Sequence, residues 1–189
     1  VAIGISTGGP VALAGVLPAL PKTFPLPILL VQHMPPRFTL SLAESLHKKS
    51  ALAVVEASDG PRPTAGTVYI APGGKQMRVA SGATLRLEIT DDPAENNCRP
   101  AVDYLFRSLA PEFGPRIIAV IMTGMGADGV EGVRALKARG ARAIAQDKAS
   151  CVVYGMPGEV AKAGLADEIL PLDEIAPRLV DLAGVRSTV

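Results

Sequence analysis

The chain has 189 residues, 48% hydrophobic and 20% charged, with a formal net charge of +1 and only 4% aromatic residues. That length suits one domain with a sizeable core, and the near-neutral charge and scarce aromatics exclude a nucleic-acid surface built on bulk charge or base stacking. No apolar run reaches the ~20 residues of a membrane-spanning helix. With no Trp, the core must rest on Val, Ile, Leu and Ala, as in a buried parallel sheet covered by helices.

The first element is a strand over Val1–Ser6, followed by a glycine-rich turn and a helix from about Pro10, where proline suits a first turn. Leu26–Gln32 is a second buried strand. Phe38–Lys49 has helical spacing, with Leu40, Leu42, Ala43 and Leu46 on one side, and Ala51–Glu56 reads as a third strand. Thr67–Ala71, Gln76–Val79 and Thr84–Ile89 are short β-like runs separated by Pro72-Gly73-Gly74 and Ser81-Gly82, a pattern that predicts an antiparallel insert. A polar loop over Asp91–Cys98 leads to a helix over Arg99–Ala110, with Val102, Leu105, Phe106 and Leu109 inward. Arg116–Met122 is the strongest strand. A glycine-rich loop, Gly124–Gly129, and a helix over Val130–Arg139 closed by Gly140 follow it. Ala141–Gln146 and Glu168–Leu170 read as strands, and Pro157–Lys162 and Leu172–Leu182 as helices. The strand–helix alternation predicts an α/β fold: a doubly wound, mostly parallel sheet with helices on both faces, in three layers, with a small antiparallel hairpin insert. No linker or repeat divides the chain, so residues 1–189 are expected to form a single domain.

In such sheets ligands bind beyond the carboxyl ends of the strands. Three strands end there on chemistry-bearing residues: Ser6 in Gly4-Ile5-Ser6-Thr7-Gly8, His33 after Gln32, and Asp128 in Thr123-Gly124-Met125-Gly126-Ala127-Asp128-Gly129. Gly-x-Ser-x-Gly between a strand and a helix is a nucleophile elbow, and the N–H of Thr7 at the following helix start is a natural oxyanion donor. The plainer readings are that Ser6 and Thr7 cap that helix or that the loop cradles a phosphate, although no nucleotide motif is complete. Of the two histidines, His47 lies among lysines late in a polar helix and reads as solvated. His33 is therefore the candidate base. Asp128 is the candidate acid, but Asp128-x-x-Glu131 also reads as a capping box, and Asp147, after the strand Ala141–Gln146, is a rival on the same edge that spacing cannot separate from it. The order Ser, His, acid excludes an α/β-hydrolase, in which histidine comes last. Cys98 and Cys151 belong to no CxxC or Cys/His cluster, so both are expected to be reduced thiols and no zinc site is expected.

The stretches IGISTGGP (3–10), VQHMPPRFT (31–39), GTVYIAPGG (66–74), RPAVDYLF (99–106), MTGMGADG (122–129) and AQDKASCVVYGMP (145–157) resemble, in order and over nearly the whole chain, the catalytic domain of the chemotaxis protein-glutamate methylesterase (CheB) family. The resemblance implies Ser6 as nucleophile, His33 as base and Asp128 as acid, with Thr7 and Met125 around the oxyanion and substrate. It implies demethylation of glutamate methyl esters on chemoreceptor signalling helices with release of methanol, and deamidation of certain receptor glutamines. It implies an N-terminal receiver domain upstream, consistent with a chain that lacks an initiator Met and opens at Val1 on a strand. No metal or other cofactor is expected, nor nucleic acid or membrane insertion; a cytoplasmic monomer is. The chain departs from the family at Gln76, at Cys98 and at Ala101, and those changes are expected to bear on substrate contacts. Arg37, Arg99 and Lys75 are candidates for steering toward acidic helices, with Lys75 better read as ordinary solvated charge. The competing classes are a small-molecule esterase or amidase, a non-catalytic module binding a phosphate-bearing ligand, and a scaffold used only for signalling contacts.

Overall fold

The structure, a computed structural model, describes residues 1–60, 62–80 and 85–184. The elements in chain order are β1 (Ala2–Ile5), α1 (Gly9–Val16), β2 (Ile28–Gln32), α2 (Phe38–His47), β3 (Ala53–Glu56), β4 (Thr67–Ile70), β5 (Gln76–Ala80), β6 (Arg86–Thr90), α3 (Val102–Phe113), β7 (Ile118–Ile121), α4 (Val130–Lys137), β8 (Arg142–Gln146), α5 (Met156–Lys162), β9 (Glu168–Leu170) and α6 (Leu172–Leu182). Seven strands form one sheet in the order β3-β4-β2-β1-β7-β8-β9, every pair parallel, and β5 and β6 form a separate antiparallel pair.

Every residue of β1, β2 and β7 is buried, which is why these strands read as unbroken apolar runs. Alternation along them divides the core in two. Ile3, Ile5, Leu30, Val120 and Ile144 pack with Leu13, Val16, Leu46, Ile175 and Leu179 of α1, α2 and α6. Ala2, Leu29, Val31, Ala119, Ile121 and Ala143 pack with Leu105, Phe106, Val133, Leu136 and Val160 of α3, α4 and α5. Each fully buried Leu, Ile or Phe contributes roughly 1.5–3 kcal/mol relative to exposure. The central strands are therefore held from both faces. Among the described residues no helix is long and apolar enough to cross a membrane.

Three expectations need correction. Thr67–Ala71 is not part of the antiparallel insert: β4 lies between β3 and β2 and pairs in parallel with both. Val68 and Ile70 are buried while Thr67 and Tyr69 are half-buried, and such alternation does not encode which partner a strand takes. Only β5 and β6 make the hairpin, packed on α3 through Met77, Val79 and Leu87; the expected Ser81-Gly82 turn and Thr84 lie outside the described residues. In α2, Leu40 is 49% exposed, and Thr39 is buried instead, donating through Oγ1 to Glu56 Oε1 and accepting from the Gly73 N–H. Finally, α3 begins at Val102 rather than Arg99 and runs through Pro111 to Phe113.

The chain leaves β1 through α1 toward β2, and leaves the adjacent β7 through α4 toward β8, on opposite faces of the sheet. Beyond the carboxyl ends of β1 and β7 the two connections diverge and open a crevice.

Candidate active site

Ser6 follows β1 and His33 follows β2. The register pairs Ile5 with Gln32, and the His33 N–H continues the ladder to Ile5 O at 3.1 Å, so Ser6 and His33 emerge side by side on strands about 4.8 Å apart. The side-chain period of two sends both toward the α3 face. There the His33 Nε2–H donates to Asp128 Oδ2 at 2.7 Å. The turn after Ser6 is closed by Gly8, at φ 84, which is the N-cap of α1; no side chain caps that helix, so neither Ser6 nor Thr7 is spent on capping. The loop after β7 lies directly on the nucleophile candidate: a Cβ on Gly124 would sit 2.7 Å from Ser6 Cβ. Among the described residues no hydrogen bond takes the N–H of Thr7 or of Met125, and Met125 is 74% exposed. Among them, too, no hydrogen bond joins Ser6 Oγ to the His33 ring.

Asp128 is buried and forms no capping box, because the N-cap of α4 is Gly129 without a side-chain bond. It caps a different helix. Its oxygens accept the N–H groups of Val102 (2.7 Å) and Asp103 (3.0 Å) in the first turn of α3, and the Asn96 amide at 2.9 Å. Asp103 reciprocates from α3, its Oδ1 accepting the N–H groups of Gly129 (3.0 Å) and Gly132 (2.6 Å) in the first turn of α4. A carboxylate at a helix N-terminus is favoured by the orphan N–H groups and the dipole. The exchange locks two helix starts together and holds Asp128 facing the imidazole.

Burial pushes the Asp128 carboxyl up, but hydrogen bonds from His33, Asp103, Val102 and Asn96 hold it below the usual carboxylate range. Burial likewise disfavours a charged His33. The bonds to Asp128 and then Cys98, with the charges of both, outweigh it and raise His33 from 6.5 to about 9. Asp103 is raised, chiefly by burial. Asp147 does not approach His33; its carboxylate is taken up by the N–H and Oγ of Ser150, which hold it low. His47 is exposed, and its Nδ1 accepts the Val54 N–H at 3.2 Å.

Sequence reasoning passed over the residues that hold these groups. Gln32 donates its amide to Ser6 O and His33 O, each at 3.0 Å, tethering the two loops. Gln146 accepts the Thr123 N–H at 2.8 Å, and Thr123 Oγ1 donates to Thr7 O at 2.9 Å. The available signal was a glutamine closing an apolar strand, in both β2 and β8, and for Asp103 an acid on the apolar stripe of α3. Of the family departures, Gln76 and Ala101 are fully buried and tied together, the Ala101 N–H donating to Gln76 Oε1 at 2.9 Å, so neither can touch a substrate directly. Cys98 does line the site, its Sγ 3.6 Å from His33 Nδ1. Lys75 is paired with Asp91, whereas Arg37 and Arg99 are exposed beside the His33 loop.

An open groove of about 280 Å³ beside His33 is lined by Met34, Pro35, Asn97, Cys98, Arg99 and Pro100. A more apolar cavity of about 340 Å³ lies at the other end of the strands, beside Val1, Leu29, Val79, Leu109, Phe113 and Ile117, away from Ser6.

Residues 1–179 match the family model described as CheB methylesterase. The chain is 57% identical over 183 residues to a protein-glutamate methylesterase/protein-glutamine glutaminase of Desulfotalea psychrophila, covering 95% of this chain and 50% of that protein. It is 50% identical over 185 residues to the protein of the same description in Vibrio parahaemolyticus, covering 97% of this chain and 50% of that one. The crystal structure of the Thermotoga maritima CheB methylesterase catalytic domain superposes with a TM-score of 0.93 at 45% identity, covering 96% of each chain. The chain thus spans about half the length of the curated relatives it matches.

Proposed function

This chain belongs to the CheB methylesterase family, and we propose that residues 1–189 form one catalytic domain, a serine hydrolase that removes methyl groups from glutamate methyl esters on chemoreceptor helices and deamidates receptor glutamines. The observation that carries the reading is Ser6 on its elbow beside a histidine whose far nitrogen is bonded to a buried carboxylate. Asp128 takes Nε2, so Nδ1 is the nitrogen left to receive a proton.

Ser6 Oγ turns onto Nδ1 in the substrate complex, where catalytic hydrogen bonds tighten. As it attacks the ester carbonyl, its proton passes to His33, and Asp128 stabilises the imidazolium. The N–H groups of Thr7 and Met125 receive the oxyanion; a donor of this kind lowers the barrier by about 3–4 kcal/mol. His33 returns the proton to the methoxide, methanol leaves, and water attacks the acyl-enzyme with His33 again as base. An amide follows the same route and releases ammonia. Exposed Met125, next to Gly124 on the loop against Ser6, and exposed Val152, against Gly8, flank the Ser6 turn, which favours a protein surface over a small molecule as substrate, and Arg37 and Arg99 suit acidic helices. The relatives are about twice as long as this chain, and their additional length is read as an upstream receiver domain, in a cytoplasmic signalling protein.

The test is methanol release from methylated chemoreceptor cytoplasmic fragments. The unsubstituted chain releases methanol, Ser6→Ala and Asp128→Asn lose activity by orders of magnitude, and Asp147→Asn retains it. Absence of release from every form, with folding shown by circular dichroism, refutes the methylesterase reading.

A further inference from the structure

Cys98 and His33 are 65 residues apart in sequence, yet Sγ lies 3.6 Å from Nδ1. On the opposite side of the ring the Nε2–H is held by Asp128 at 2.7 Å, and Asp128 is itself fixed by two backbone N–H groups and the Asn96 amide. Histidines that bind metals are arranged in this way: one nitrogen meets the ion and the other N–H is held by a carboxylate that is hydrogen-bonded in turn. In the neutral imidazole the carboxylate fixes the tautomer and leaves the Nδ1 lone pair facing the sulfur.

The spacing also suits an ion. Tetrahedral Zn²⁺, with Zn–S about 2.3 Å and Zn–N about 2.0–2.1 Å, has an S···N edge of about 3.5 Å. The thiol and imidazole already stand at that separation, and both are half-buried at the wall of the open groove, within reach of solvent. Ligand atoms of His33, Cys98 and Asp128 all lie within 4.8 Å of one another. Because its oxygens are engaged by four donors, Asp128 orients the histidine and does not itself ligate.

We propose that Cys98 Sγ and His33 Nδ1 form a binding site for a thiophilic divalent cation of the Zn²⁺ type, which blocks the hydrolytic centre. Binding releases to solvent the thiol proton and, from the imidazolium form, the Nδ1 proton, as the S–metal and N–metal bonds form. The ion occupies the lone pair that must receive the Ser6 proton, so the loaded form has no base; this consequence rests on the role of His33 proposed above, and the binding itself does not. Two protein donors leave the remaining positions to water, so the site exchanges its ion rather than building the fold around it, unlike a closed four-ligand structural site.

The test titrates Co²⁺ into the chain and follows the thiolate-to-cobalt charge-transfer absorption, with displacement by Zn²⁺. One Co²⁺ binds and gives the band. Cys151→Ala keeps it, Cys98→Ala loses it, and Cys98→His recovers Co²⁺ binding without it. In methanol release, the Zn²⁺ concentration for half inhibition rises at least about tenfold in Cys98→Ala. No band in the unsubstituted chain, a band that survives Cys98→Ala, or equal inhibition of both forms overturns the proposal. A Cys98-dependent band in a protein without methanol release from any form upholds the site and counts against the hydrolase reading instead.

Discussion

Replacing Asp128 by Asn tests the central pair through its dependence on pH. With a folded-state pKa of about 9 against an ordinary 6.5, His33 binds its proton more tightly in the folded chain. The sign follows: this stabilisation is fully present below pH 6.5, falls as pH rises through about 9, and is gone by pH 10. Its size below pH 6.5 is about 3 kcal/mol, and Asp128 is the largest of the influences that raise the pKa. The amide also brings a cost that does not vary with pH. Both carboxylate oxygens accept backbone N–H groups, so an NH₂ in either position turns a donor toward the N–H of Val102 or of Asp103. One buried donor left unpaired costs about 1–3 kcal/mol. Asp128→Asn is therefore expected to destabilise the fold by about 4–6 kcal/mol at pH 6 and by only about 1–3 kcal/mol at pH 10. Urea unfolding followed by circular dichroism at both pH values, with EDTA present, measures the difference. An equal penalty at pH 6 and pH 10 would refute the pairing argument, and a penalty below about 1 kcal/mol at both would refute the buried-donor argument as well.

Other outcomes follow from the same contacts. Because only neutral His33 accepts the Ser6 proton, kcat/KM in EDTA should rise with pH up to about 9, and in Cys98→Ala, which lacks one of the influences that raise His33, the rise should move to lower pH; an unmoved limb in a pH–rate profile counts against it. Gln32→Met removes the donor shared by Ser6 O and His33 O, and should lower kcat at least about tenfold with little change in KM, measured by steady-state methanol release. Gly124→Ala drives a Cβ against Ser6 Cβ and Met156 Sδ, so it should cost about 1–3 kcal/mol in urea unfolding and displace the nucleophile, with activity falling further than stability explains.

The architecture was largely legible in the residues because two periodicities carry it. The unbroken apolar runs of β1, β2 and β7 announce strands covered on both faces, and the spacing of Val102, Leu105, Phe106 and Leu109 announces α3. Ser6 and His33 were legible for a related reason: each ends such a strand, and the carboxyl edge of a parallel sheet is where function gathers. Periodicity tells which face of a strand is buried but not which strand lies beside it, so the run Thr67–Ala71 reads as part of the insert although β4 pairs with β2 and β3.

The choice of acid was decided by folding alone. Asp128 and Asp147 both follow strands on the same edge. The crossing of α3 over the start of α4 brings Asp128 to His33, while Asp147 folds back onto Ser150 within its own turn. The local pattern Asp128-x-x-Glu131 pointed to a cap on α4, yet the caps of α3 and α4 are exchanged between helices through Asp103 and Asp128, a pairing that sequence proximity cannot express. The meeting of Cys98 with His33 across 65 residues is of the same kind. Spacing along a chain reports what one helix or strand can bring together. Contacts between the starts of two helices and the end of a strand exist only once tertiary packing has set their distance.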